Sequence, residues 1–124
     1  MAEHDVARDE TMTLIASDKV EGTPVFNRAG EKLGSIHNLM VNKKTGKVEY
    51  AVLSFGGVLG MGTDYYPLPW ESLTYDTAQN GYLVDIDKET LKSGPHYSAS
   101  AEPSYDRAFG QSVYGHYGLN YPSV

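Results

Sequence analysis

Four histidines, at 4, 37, 96 and 116, are the residues best suited to metal or proton chemistry, and their spacing argues against both uses. None stands at i+2, i+3 or i+4 from another, so no metal-binding motif is present. Asp85 and Asp87 place two carboxylates on one side of an extended segment, with Asp76 as a third candidate. A hard-cation site needs more oxygen ligands in a tight loop, and Asp87 is better placed as a helix N-cap. No serine has the setting of a nucleophile elbow. With no cysteine, thiol nucleophiles, disulfides and thiolate-held metals are excluded together. The loop Gly56-Gly-Val-Leu-Gly-Met-Gly62 matches neither phosphate-binding glycine pattern, and a proline-rich strand follows it where a helix N-terminus is required. The expectation is a protein with no catalytic residues, no metal and no cofactor.

Contact chemistry is better represented. Val58, Leu59 and Met61 are apolar residues on a glycine loop, a pattern that suits an interaction surface. Tyr65, Tyr66 and Trp70 follow directly and are expected to extend that surface. Lys43, Lys44 and Lys47 form the one basic cluster. It reads as a solvated turn, with RNA contact as the sharper alternative and Tyr50 as a ring on which a base could stack.

These residues need elements to hold them. Ser17 to Gly22 suits a single helical turn capped by Ser17. Asn27 to Gly30 and Lys43 to Gly46 are turns, and Asn80-Gly81 signals a hairpin. Lys32 to Asn42 is a strand whose apolar residues change face near His37-Asn38, which predicts a bulge there and a partly buried His37. Val48 to Phe55 is apolar on both faces and is predicted to be central and doubly covered. Pro67 and Pro69 place the next strand at an edge or corner. Asp87 to Gly94 is a short capped helix. Short strands at turn-punctuated spacing predict a mostly β fold, a small barrel or sandwich, with no long amphipathic helix.

The 124 residues make one domain, with ten tyrosines against three phenylalanines and one tryptophan. Half of those tyrosines follow Pro95, in a stretch without periodicity. The expected organisation is a disordered acidic arm over 1–12, a β domain over 13–94, and a Gly/Tyr-rich tail over 95–124. In that tail Tyr114, Tyr117 and Tyr121 anchor the chain to the domain or to a partner. Half of the net charge of −6 comes from the first ten residues, where Glu3, Asp5, Asp9 and Glu10 face Arg8. That balance disfavours general nucleic-acid binding. The acidic start lacks the pattern of a signal peptide, and no apolar run approaches the ~20 residues of a membrane span, so a cytoplasmic location is expected.

Three stretches together resemble a PRC-barrel domain, of the free-standing bacterial single-domain type. They are Val25 to Ile36 with Gly30-Glu-Lys-Leu-Gly34, Thr45 to Gly62, and Leu68-Pro-Trp-Glu-Ser-Leu73. Gly81 to Ile86, Gly94-Pro-His-Tyr97 and the ending Tyr114-Gly-His-Tyr-Gly118 fit the same type. The resemblance implies a small PRC-type β-barrel with short helical turns and an extended aromatic C-terminal tail, used as an adaptor. It transfers no catalytic residue. The family occurs in the H subunit of the photosynthetic reaction centre and in a ribosome maturation factor, but neither the transmembrane helix of the first nor the second barrel of the other is expected from these residues. The leading expectation is a non-catalytic binding or assembly module, self-associating as a homodimer and holding an unidentified protein partner. The alternatives are an RNA- or ribosome-associated factor and a membrane-peripheral accessory of an electron-transfer complex.

Overall fold

A computed structural model describes residues 13–56 and 62–122. The acidic arm expected over 1–12 lies outside the described residues. In chain order the elements are α1 (Ser17–Val20), β1 (Pro24–Phe26), β2 (Lys32–Val41), β3 (Val48–Phe55), β4 (Asp64–Pro69), a 3-10 turn (Trp70–Ser72), β5 (Leu73–Asp76), β6 (Gly81–Val84), α2 (Lys88–Lys92), β7 (Tyr97–Ser98), a second 3-10 turn (Ala99–Ala101) and α3 (Arg107–His116). The strands make one seven-stranded sheet in the order β5-β6-β1-β2-β3-β4-β7. The pairing is antiparallel except between β1 and β6. The mostly β architecture expected from the sequence is the one the chain adopts.

The turns form where the residues dictate. Gly46 takes φ +80° at the end of the β2–β3 turn, and Asn42 Oδ1 accepts from the Lys44 and Thr45 amides. Asn80, at φ +52°, precedes β6, the left-handed position that asparagine tolerates. The bulge in β2 falls where the pattern changes face, with the register shifting between Ile36 and Asn38. Asp87 caps α2 by accepting from the Thr90 amide at 2.8 Å. At α1 the N-cap is Ala16 and not Ser17, and no side chain caps the turn.

The double covering of β3 has a simple geometry. Ala51 and Leu53 point into a core shared with Val25, Leu33, Ile36, Tyr66, Leu68, Tyr82, Val84 and Leu91. Tyr50, Val52 and Ser54 alternate with them and face outward. Their opposite neighbours on β4 are Pro69, Pro67 and Tyr65. Pro67 and Pro69 lie beyond the two positions at which β7 pairs with β4, so neither is asked for a ladder N–H.

The segment after Pro95 departs from the sequence expectation. It is not extended throughout: Arg107–His116 is a helix of ten residues. Asp106 caps it by accepting from the Phe109 amide at 2.9 Å. Gly118, at φ +77°, ends it, and the Leu119 amide donates back to the Tyr114 carbonyl at 2.9 Å. Its buried face is Gly110, Val113 and Tyr114.

Candidate functional site

The C-terminal segment docks on the outward face of β3. Tyr50 is 2% exposed and forms a second cluster with Val113 and Tyr114, flanked by Met40, Tyr105, Phe109, Tyr117, Leu119 and Tyr121. Tyr105 and Tyr114 meet the Tyr50 ring edge-on at 5.1 and 5.7 Å, and Tyr121 stacks at 6.3 Å. Two hydroxyls fasten the segment to one residue: Tyr114 Oη donates to the Glu49 carbonyl at 2.5 Å, and Tyr121 Oη donates to Glu49 Oε1 at 2.6 Å. Glu49 Oε2 accepts from Asn42 Nδ2 at 2.9 Å, which holds the carboxylate in place. Burial pushes the Tyr114 phenol up to about 12 and raises Tyr50, Tyr105 and Tyr117 well above the ordinary tyrosine range.

The covering stops part-way along β3. Tyr50 and Val52 are buried, whereas Ser54 is only half-buried. Opposite Ser54, Tyr65 is half-buried too, and the exposed His37 ring lies 4.4 Å from it. Tyr97 on β7 lies 5.9 Å from Tyr65 on the other side. The row His37–Tyr65–Tyr97 is therefore an aromatic patch on the end of the outward face that the described residues leave uncovered. It joins the covered end through a 2.6 Å hydrogen bond between the Tyr97 and Tyr105 hydroxyls. At its rim is the exposed Glu102, whose charge helps burial raise the Tyr97 phenol, whereas Asp64 shares the strand parity of Tyr66 and faces His96, 4.0 Å away, on the other side of β4.

The candidates from the sequence divide on this geometry. Tyr65 sits in the patch. Tyr66 is 6% exposed and points into the core, between Phe55 and the His96 ring, because its strand parity is the opposite one. Trp70 is half-buried on the core cluster with Tyr82 at 5.6 Å. Tyr114, Tyr117 and Tyr121 pack on the chain's own sheet. Tyr50 offers no face to a nucleic-acid base, because the C-terminal rings surround it. Lys43, Lys44 and Lys47 are exposed on the β2–β3 turn. Val58, Leu59 and Met61 lie outside the described residues. His37 is exposed and not partly buried as expected, since the bulge turns it outward. Tyr97 belongs in the patch although the sequence singled it out only as part of the tail; its pairing with Tyr65 depends on a two-residue strand too short to leave a pattern.

The acidic residues are not brought together. Asp76 closes its own turn through the Ala78 amide, Asp85 pairs with Arg28 at 3.2 Å, and Asp87 caps α2. Among the described residues no cluster of His, Asp and Glu is arranged to hold a metal ion. A shallow groove of about 480 Å³ runs beside Arg28, Asp85, Thr90 and His116. Its polar groups engage one another, His116 Nε2 donating to the Thr90 carbonyl at 2.8 Å. Among the described residues no helix is long and apolar enough to cross a membrane.

A coiled β-sheet around one core, with a short capped helix after its sixth strand, defines a small barrel-type domain. The PRC-barrel domain family matches residues 12–91, and the chain belongs to that family. The segment that covers Tyr50 lies beyond the matched residues. Among solved structures, a protein described as a 16S ribosomal RNA processing protein, RimM, from Pseudomonas aeruginosa is similar over 64% of this chain, with 19% identity and a TM-score of 0.42. The match takes in 48% of that protein, so the chain spans about half of its length. No curated protein matches the sequence.

Proposed function

We propose that the chain is a non-catalytic binding and assembly module that self-associates and holds protein partners through the uncovered end of its outward sheet face. The observation that carries this reading is the partial covering of β3. Tyr50 is sealed by the chain's own C-terminal segment, while His37, Tyr65 and Tyr97 on the same face stay accessible. Large rings with polar tips are the residue types that contact surfaces favour. Because Tyr114 and Tyr121 are fastened to Glu49, the contact falls to this patch and not to the tail.

Light scattering over a concentration series tests the reading. A mass above that of one chain, lowered by Tyr65→Ala and unchanged by Tyr75→Phe on β5, is expected. One chain's mass at every concentration contradicts self-association.

A ribosome- or RNA-associated role is the second reading, supported by the exposed Lys43, Lys44 and Lys47. With Tyr50 buried it rests on charge alone, and it predicts ribosome co-sedimentation at low salt that the triple lysine-to-alanine variant loses.

A further inference from the structure

Two stretches of the chain carry unbalanced charge of opposite sign. Lys43, Lys44 and Lys47 are exposed on the β2–β3 turn, and no ion pair among the described residues engages their ammonium groups. Arg28 and Lys88 are differently placed, held by Asp85 at 3.2 Å and by Glu31 at 3.8 Å. Glu49, the acid nearest the turn in sequence, is already engaged: its carboxylate oxygens accept from Asn42 Nδ2 and Tyr121 Oη. The matching excess of acid is in residues 1–12, outside the described residues, where Glu3, Asp5, Asp9 and Glu10 stand against Arg8 alone.

Strand pairing directs that stretch toward the turn. β1 is antiparallel to β2, with Pro24 opposite Ser35 and Val25 opposite Gly34, so the chain before β1 lies toward the Val41 end of β2. The Gly22 amide donates to the Ile36 carbonyl at 2.7 Å and the Ile36 amide to the Thr23 carbonyl at 2.9 Å, continuing in the same direction. Beyond Ile36, no strand among the described residues pairs with β2 on this side. The C-terminal helix packs over Tyr50 of β3, which lies across β2 from β1 in the sheet order. About seven residues of strand lead from Ile36 to Lys43, a span of roughly 23 Å, and the residues before Thr13 extend to at most about 40 Å. The acidic stretch has ample reach.

We propose that the acidic residues 3–10 lie on the lysine turn of their own chain and withhold it from external polyanions. The proposal goes beyond the self-contact reading and deepens the second one, because it names what occupies the turn when no phosphate chain does. Exposed charge pairs each contribute little, and several together make a contact that salt dissolves. The segment therefore sets a threshold and not a block. A polyanion displaces it by offering more negative charge to the same lysines.

The chain has no cysteine, so Ala2→Cys gives a single site for a nitroxide label in the full-length protein. At low salt the label is expected to broaden the Lys43 to Lys47 amide signals to less than about half their intensity. The broadening should vanish in about 1 M salt, where the screening length is about 3 Å. It should vanish too in a variant carrying Glu3→Gln, Asp5→Asn, Asp9→Asn and Glu10→Gln. Without the label, that variant should bind inorganic polyphosphate at least about threefold more tightly than the original chain at low salt. Adding Lys43→Gln, Lys44→Gln and Lys47→Gln should remove the gain. The amide spectrum of each variant shows whether the fold is kept, and Asp9→Asn with Glu10→Gln replaces the fourfold variant where it is not. No broadening at the turn, or an unchanged polyphosphate affinity, overturns the proposal. Broadening seen only between isotope-labelled and nitroxide-labelled chains in a mixture assigns the acids to the turn of a second copy, which overturns it as well. If both expected results hold while neither the original nor the acid-neutralised chain co-sediments with ribosomes, the ribosome reading fails and the cover of the turn stands.

Discussion

Tyr121 reaches back across seventy-two residues to donate its phenol proton to Glu49 Oε1 at 2.6 Å, so the end of the chain is tied to the start of its central strand. The same glutamate offers its backbone carbonyl to Tyr114. One residue thus receives both hydroxyls that hold the C-terminal segment down, and that segment decides which half of the outward face is open.

The Tyr121–Glu49 bond is expected to show coupling in a double-mutant cycle. Tyr121→Phe and Glu49→Gln should each destabilise by about 1 kcal/mol, and the double variant by less than the sum. Urea denaturation of the four proteins measures this. Strict additivity means the bond contributes nothing.

Gly110 sits under the Tyr121 ring: a Cβ there falls 2.6 Å from Tyr121 Cε1 and Cζ. Gly110→Ala should therefore destabilise the intact chain. In a Tyr121→Ala background the ring is gone, and the same change should stabilise by up to about 1 kcal/mol from helix propensity. Thermal denaturation reads the change of sign.

Asp106 is the N-cap of α3 through its bond to the Phe109 amide. Asp106→Ala should cost about 1 kcal/mol. Hydrogen exchange should then quicken in the helix and around Tyr50, while β1 and β6 keep their protection.

Alkaline pH should undo the docking of the C-terminal segment. The Tyr50, Tyr105, Tyr114 and Tyr117 phenols are raised above the ordinary value of 10.0, first by burial and then by neighbouring tyrosines or carboxylates, Tyr66 in the case of Tyr117. A raised folded value means that the folded state holds the proton more tightly than the unfolded one. The stabilisation is complete below pH ~10 and is lost as pH rises through the folded values, about 12 for Tyr114. Absorbance at the tyrosinate band should show exposed phenols titrating first and the buried set ionising together with loss of near-ultraviolet dichroism. Ten independent titrations near the ordinary value would contradict the packing.

Much of the sheet was legible because its signals are local. Gly46 and Asn80 mark turns that need left-handed backbone, and the change of face near His37 marks the bulge. The two apolar faces of β3 correctly announced a double cover. What covers its outward face was not legible, since Glu49 and Tyr121 meet only after the whole sheet has formed. The helix Arg107–His116 was hidden by Gly110 and Gly115, residues that weaken a helical pattern. Gly110 is there because Tyr121 packs on it. For the same reason Tyr50 and Tyr65, alike in sequence and facing the same side, could not be separated: one is covered and the other open only because of where a distant segment stops.

The account turns on the open half of the outward face. Backbone amide shifts over a dilution series test it most directly. Concentration-dependent shifts at Ser35, His37, Ser54, Tyr65 and Ser98, and none at Thr74 to Asp76 on β5 at the other end of the sheet order, are predicted. Shifts confined to β5, or none at any concentration, would contradict it.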